Sequence, residues 1–204
     1  PVICSGTQAS ILFSSQVAGT IFNWNVPSLP TGVTMTATSG AGNVNETITN
    51  NSNVIATVIF QVMPVAASCS PATPYSYSVV VNPVPVVQFP ASPPNPQTVC
   101  SASNTMVAVA LASNVLAPAV ISYNCTAMAY DNLNNPTAAI NGFLTPNSGN
   151  TSPGENLAST LLEPGYVKYS VIATITTSGL ACQGPTAFYQ VNVNPSPTAQ
   201  PSIA

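Results

Sequence analysis

The side chains that could act chemically are few and scattered. Cysteines stand at Cys4, Cys69, Cys100, Cys125 and Cys182. The charged residues are Glu46, Asp131, Glu155, Glu163 and Lys168, with no Arg and no His. A thiol nucleophile needs a neighbouring base, so Cys125 in a chain without histidine is not a catalytic candidate. General acid–base work draws on His, Asp, Glu and Lys held close together, and these are nearly absent. Zinc needs clustered thiolate and imidazole ligands, which the cysteine spacing does not offer. Asp131-Asn132-Leu133-Asn134-Asn135 has the outline of a calcium loop. Calcium takes about six to eight oxygens, several of them carboxylates, so an Asn-rich turn is the better account. The expectation is a chain with no catalytic residue, no metal site and no cofactor.

Charge narrows the partners. Charged residues make up 2% of the 204 positions, against about 25% in ordinary globular domains. Nucleic-acid binding requires Lys and Arg to displace counterions from phosphate, and one lysine cannot do that. Attraction to anionic lipid needs the same charges. Disorder is not expected either, because hydrophobic residues reach 46% at a net charge of −3. No apolar run approaches the roughly 18 to 20 residues of a spanning helix. Val54 to Pro64 comes nearest, and Thr57 and Gln61 interrupt it. No secretory leader is visible at Pro1, so a targeting segment is expected to have been removed or to lie outside these residues.

The elements that must position these residues occur twice. Val79-Val80-Val81-Asn82-Pro83-Val84-Pro85 returns as Val191-Asn192-Val193-Asn194-Pro195-Ser196-Pro197. Cys4-Ser5 returns as Cys100-Ser101, and Cys69-Ser70 as Cys182-Gln183. Phe22-Asn23-Trp24-Asn25 matches Tyr123-Asn124-Cys125-Thr126. The expected organisation is a domain over 1–84, a Pro-rich semi-rigid linker over 85–97, a divergent copy over 98–197, and the start of a further linker over 198–204. Joining a second copy to the end would recreate the same kind of linker, which points to a head-to-tail array.

Apolar–polar alternation predicts strands throughout. In the first half they fall near 1–4, 8–14, 20–26, 33–38, 45–50, 54–63 and 75–82. In the second they fall near 98–101, 105–112, 119–130, 137–143, 155–162, 166–176 and 186–194. Phe22, Trp24 and Val26 share one face, and so do Tyr75, Tyr77, Val79 and Val81. Ala18-Gly19, Pro30-Thr31-Gly32, Ser39 to Asn43 and Asn50 to Asn53 read as turns. Seven short strands per half at this spacing predict an all-β chain of two tandem immunoglobulin-like Greek-key β-sandwiches.

In such a sandwich the opening strand and the loop before the last strand meet at one end. Cys4–Cys69 is therefore the expected disulfide, and Cys100–Cys182 its repeat, with buried thiols in a reducing compartment as the alternative. Cys125 takes the place of Trp24 and is expected to be a buried free thiol, with an intermolecular bond as the alternative. Lys168, with Glu155 and Glu163 near in sequence, raises the isopeptide bond of some adhesin domains. The first half has no lysine, and an exposed solubilising side chain is the plainer reading. Asn45, Asn50, Asn124 and Asn150 begin glycosylation sequons, a pattern common by chance in an Asn- and Thr-rich chain.

Ile3-Cys4-Ser5-Gly6-Thr7, Phe22-Asn23-Trp24, Asn45 to Asn50, Cys69 and Val81-Asn82-Pro83 resemble the PKD-like, immunoglobulin-like repeats of giant surface proteins in Bacteroidota. The resemblance covers nearly all of the first half. The second half looks like a divergent copy, with Val99-Cys100-Ser101, Gly154 to Leu157, Cys182-Gln183-Gly184 and Val193-Asn194-Pro195. It implies secretion to the cell surface and a role in adhesion, gliding or filament building. A nearly chargeless exterior suits a durable fibre, since little on it titrates or is screened. The expected function is a structural repeat that assembles with copies of itself. A binding module for surface glycans and an accessory domain of a secreted enzyme are the alternatives.

Overall fold

The computed structural model describes residues 1–92, 94–102, 111–143, 147–148 and 156–197. These residues form strands, turns and loops, with no helix among them. The chain is all β and consists of two tandem immunoglobulin-like β-sandwiches. Two compact units result. Unit 1 holds Pro1–Pro85, Val115–Val120 and Ile175–Gln183; unit 2 holds Val86–Asn114, Ile121–Thr174 and the chain from Gly184 onward.

Unit 1 is built on β1 (Val2–Cys4), β2 (Thr7–Ile11), β3 (Ile21–Asn25), β4 (Val33–Met35), β5 (Ser39–Ala41), β6 (Val44–Asn50), β7 (Ala56–Val65) and β8 (Tyr75–Asn82). One sheet runs β1-β8-β7-β3-β5 and the other β2-β6-β4. β1 lies parallel to β8, whereas β7 pairs antiparallel with both β8 and β3. The opening segment changes sheets at Gly6, whose φ of +78° is left-handed. Glycine adopts that conformation without a Cβ clash.

Alternation places the core. Ala56, Val58, Phe60 and Val62 of β7 point inward with Val79 and Val81 of β8 and Val44 and Ile48 of β6. Trp24 packs edge-on against Phe60, ring centroids 5.8 Å apart. Every expected strand of the first half occurs. β5 occupies part of the stretch expected as a turn, because pairing with β3 holds a Ser-Gly-Ala segment that has little strand preference of its own. Its Gly40 is required there: a Cβ would lie 2.6 Å from Trp24 Cζ2.

The remaining strands are β9 (Val87–Gln88), β10 (Gln97–Cys100), β11 (Ala112–Ser113), β12 (Ile121–Tyr130), β13 (Ile140–Asn141), β14 (Asn147–Ser148), β15 (Ala158–Ser159), β16 (Gly165–Thr177), β17 (Leu180–Gln183) and β18 (Ala187–Asn194). Their main sheet runs β10-β18-β16-β12-β14, and β17 pairs with β16. β10 lies parallel to β18. Val81 faces Ala56 just as Val193 faces Gly165, so the duplication holds residue by residue across the last two long strands. Val167, Tyr169, Tyr189, Val191 and Val193 anchor the core of unit 2.

The Pro-rich stretch expected as a spacer belongs to unit 2. Its β9 pairs with β11, and its Phe89 ring lies 5.3 Å from that of Tyr189. Most of the strand expected over 105–112 lies outside the described residues. So do Glu155, the sequon at Asn150 and the run 198–204.

Candidate functional site

The cysteines do not pair as expected. Cys4 bonds Cys182, with Cα atoms 5.6 Å apart and 178 residues between them in sequence. Both belong to unit 1. Cys4–Cys69 and Cys100–Cys182 are therefore corrected, and Cys69 and Cys100 are exposed thiols. Strand direction is the physical reason. β1 runs parallel to β8, so Cys4 stands opposite Asn82, at the far end of β8 from the turn that carries Cys69. Cys100 stands opposite Asn194, at the far end of β18 from Cys182. After β7 the chain turns at once through Ala67 and Ser68, with φ of 46° and 65°. Cys69 follows directly, exchanging backbone hydrogen bonds with Ala66 at 2.8 and 3.0 Å. After β16 the turn is Ser178-Gly179, and β17 carries Cys182 further back along the hairpin.

Asn82 fixes this place. Fully buried, it donates from Nδ2 to Cys182 Sγ at 3.5 Å and accepts from Thr177 Oγ1 at 2.9 Å. Cys125 stands on β12 at the position equivalent to Trp24, half-buried and packed against the apolar clusters of unit 2.

The other candidates are occupied by structural work. Asp131 accepts from the backbone N–H groups of Asn135 and Leu133 at 2.8 and 2.9 Å, and from Asn135 Nδ2 at 3.2 Å. The Asn135 backbone donor above all holds its carboxyl below the ordinary value of 3.8. These partners are donors, unlike calcium ligands. Among the described residues no cluster of His, Cys, Asp and Glu is placed to hold a metal ion. Lys168 Nζ lies 4.1 Å from the Phe188 ring centroid, so its charge rests on an aromatic face. Asn50 is buried and spends its amide inside the fold: Nδ2 donates to Val54 O and Val81 O, and Oδ1 accepts from Ser52. Asn45 and Asn124 are exposed.

Unit 1 also carries an aromatic groove of about 380 Å³, lined by Leu12, Phe13, Phe22, Pro64, Tyr75 and Tyr77 with serines between them. Phe13 and Phe22 stack at 5.3 Å. Tyr75 and Tyr77 share the inward phase of Val79 and Val81, as expected, yet are 65% and 39% exposed. β1 pairs with β8 only at Val80–Asn82, so the tyrosines stand on an open strand edge although their β7 partners Val62 and Phe60 are buried. In unit 2 the residue at the register position of Tyr77 is Tyr189, which is buried. There Tyr189 Oη donates to Pro94 O at 3.0 Å, and Asn95 brackets β18 through Phe188 O and Gln190 N. Sequence periodicity gave the phase of these tyrosines correctly; only the neighbouring Pro-rich cover distinguishes buried from bare.

An all-β, immunoglobulin-like module with a repeat-spanning disulfide is the class these features define. Residues 1–85 match the family model described as the PKD-like domain. No curated protein matches the sequence. Among solved structures, Drosophila OTK extracellular domains 3–5 align with 14% identity and a TM-score of 0.42, over 97% of this chain and 59% of that one. Chicken VE-cadherin EC1–2 aligns with 10% identity and a TM-score of 0.35, over 96% and 97%. A SusE-like, surface-located polysaccharide-binding protein from the heparin utilisation locus of Bacteroides thetaiotaomicron aligns with 13% identity and a TM-score of 0.32, over 95% of this chain and 32% of its own. Among the described residues no helix is long and apolar enough to cross a membrane.

Proposed function

We propose that this chain is a structural repeat unit of an extracellular filament, stalk or large surface protein, with copies joined head to tail and no catalytic role. The observation that carries the reading is the Cys4–Cys182 bond. It ties the opening strand of the first sequence repeat to the hairpin of the second, adding a cross-link between two halves that the backbone already joins in series. Disulfides persist in oxidising compartments, so the bond supports secretion. The edge strand β5 carries no charge or proline to discourage pairing. The bare Tyr75–Tyr77 groove also fits, because a Pro-rich segment of another copy could cover it as Pro94 covers Tyr189. Negative-stain microscopy of native material is expected to reveal long thin fibres with a regular repeat. Dispersed particles of 20.7 kDa would count against the reading.

The groove favours a second reading, adhesion to neutral glycans, since exposed Tyr faces and serine hydroxyls suit uncharged sugar rings. Selective binding on a glycan array, lost in Tyr75→Ala and Tyr77→Ala, would support it. Equal binding by those variants would remove the groove from consideration.

A further inference from the structure

The Cys4–Cys182 bond follows a rule that the duplication states twice. Cys4 ends β1 opposite Asn82, and Cys100 ends β10 opposite Asn194, in the same parallel register. The next residues also agree: Ser5 N donates to Asn82 O at 2.9 Å and Ser101 N to Asn194 O at 2.8 Å. Cys69 and Cys182 are counterparts too. Each follows a two-residue turn whose φ angles are both positive, in the hairpin that leads to the last strand of its repeat. Cys69 is the first residue after its turn and Cys182 the third. Side chains alternate along a strand, so first and third leave the same face.

The observed bond thus joins the opening-strand cysteine of one repeat to the hairpin cysteine of the repeat that follows. One step further along, the opening-strand cysteine is Cys100 and the following hairpin cysteine is Cys69 of another copy. Both are exposed thiols, as the rule requires of groups whose partners lie on different copies. We propose that Cys100 of one copy and Cys69 of the next form an intermolecular disulfide that staples successive copies head to tail. This rests on the head-to-tail reading above. Asn194 then stands where Asn82 stands beside the Cys182 sulfur.

The step balances as thiol–disulfide exchange with an external disulfide of the oxidised glutathione type. The Cys100 thiolate attacks that disulfide and releases one small thiol. Cys69 attacks the Cys100 sulfur of the mixed disulfide and releases the second. The two protein S–H protons end on the released thiols, and their two electrons have reduced the external disulfide.

The test is oxidation of the purified chain with oxidised glutathione, followed by non-reducing electrophoresis and peptide mass spectrometry. A ladder at multiples of 20.7 kDa is expected, with Cys69–Cys100 as the linking peptide pair. Cys69→Ser and Cys100→Ser should each abolish the ladder. An equimolar mixture of the two variants should stop at a dimer, because only one complementary thiol remains on each chain. Links of Cys69 to Cys69 or of Cys100 to Cys100, a Cys69–Cys100 bond within one chain, or monomer alone after oxidation would each overturn the proposal. Microscopy of the Cys69→Ser, Cys100→Ser double variant separates the two ideas. If wild-type chains yield no link and the double variant still forms fibres, the staple fails and the head-to-tail reading stands. If neither links nor fibres form, both fail.

Discussion

Asn50 and Gly40 show how single residues hold unit 1. The Asn50 amide is the donor for Val54 O and Val81 O. Val54 O keeps Ser52 Oγ as a donor, but losing the donor to the buried Val81 O costs about 1–3 kcal/mol. Asn50→Ala should therefore destabilise by about 2–3 kcal/mol, and Ser52→Ala by about 1 kcal/mol, in urea unfolding. Equal losses would show that the network is not organised around Asn50. In the sequence this residue reads as a sequon, because nothing local distinguishes a turn Asn on the surface from one that reaches into the core. Gly40 lies against the Trp24 ring, whose buried Nε1 has no hydrogen-bond partner among the described residues. Gly40→Ala should cost about 1–3 kcal/mol through that clash. Trp24→Phe shortens the ring system at the point of contact and removes the unpartnered N–H. In the double variant the cost of Gly40→Ala should shrink, giving a double-mutant coupling of about 1 kcal/mol; strict additivity would mean that the alanine is accommodated elsewhere.

Elements were legible where alternation was long. β3, β6, β7, β12, β16 and β18 fall within a few residues of their expected positions because more and less buried side chains alternate along most of their length. β8 does so on the alternation of its sequence, Tyr75-Ser76-Tyr77-Ser78, although those four residues are exposed. The two-residue β9 and β14, and β5, carry no such signal and exist because a partner strand pairs with them. For Ile175–Gln183 the sequence offered only the end of a strand and a loop; neither the pairing of β17 with β16 nor the grouping of this hairpin with unit 1 was legible. Duplication establishes which positions are equivalent; it does not say which of the equivalent positions bond one another. That choice depends on the end of the last strand at which the opening strand finishes, which its parallel pairing reveals. The disulfide should be the main tether of this hairpin. Cys4→Ser with Cys182→Ser should speed amide exchange across Ile175–Gln183 while leaving β7 and β8 protected, since local opening need not involve the sandwich core. Unchanged protection in the hairpin would assign its order to Asn82 and Thr177 instead.

At the scale of the whole molecule, sparse charge should make stability nearly independent of pH and salt over a wide window. The Asp131 carboxyl is held below 3.8 by its N–H donors. A lowered folded value means that its contribution is fully present above the unfolded value and is lost as pH falls through the folded one. Burial pushes the Tyr123 and Tyr189 hydroxyls above 10.0. A raised value for an acid means that the folded state keeps a proton the unfolded state has released. Their contribution is therefore intact below the unfolded value and is lost as pH climbs past it. These two limits bracket a plateau. With thiols alkylated to prevent exchange, the midpoint of thermal unfolding should stay flat from about pH 5 to pH 9. Asp131→Asn should lessen the decline on the acid side, while Tyr189→Phe should lessen it on the alkaline side. Exposed ion pairs are what salt screens, and with a single lysine the midpoint should move by no more than about 2 °C between 10 mM and 1 M NaCl. A bell-shaped profile centred inside the window, or a steep salt dependence, would mean that charges govern this fold more than their number implies, and the case for a fibre indifferent to its medium would fall with it.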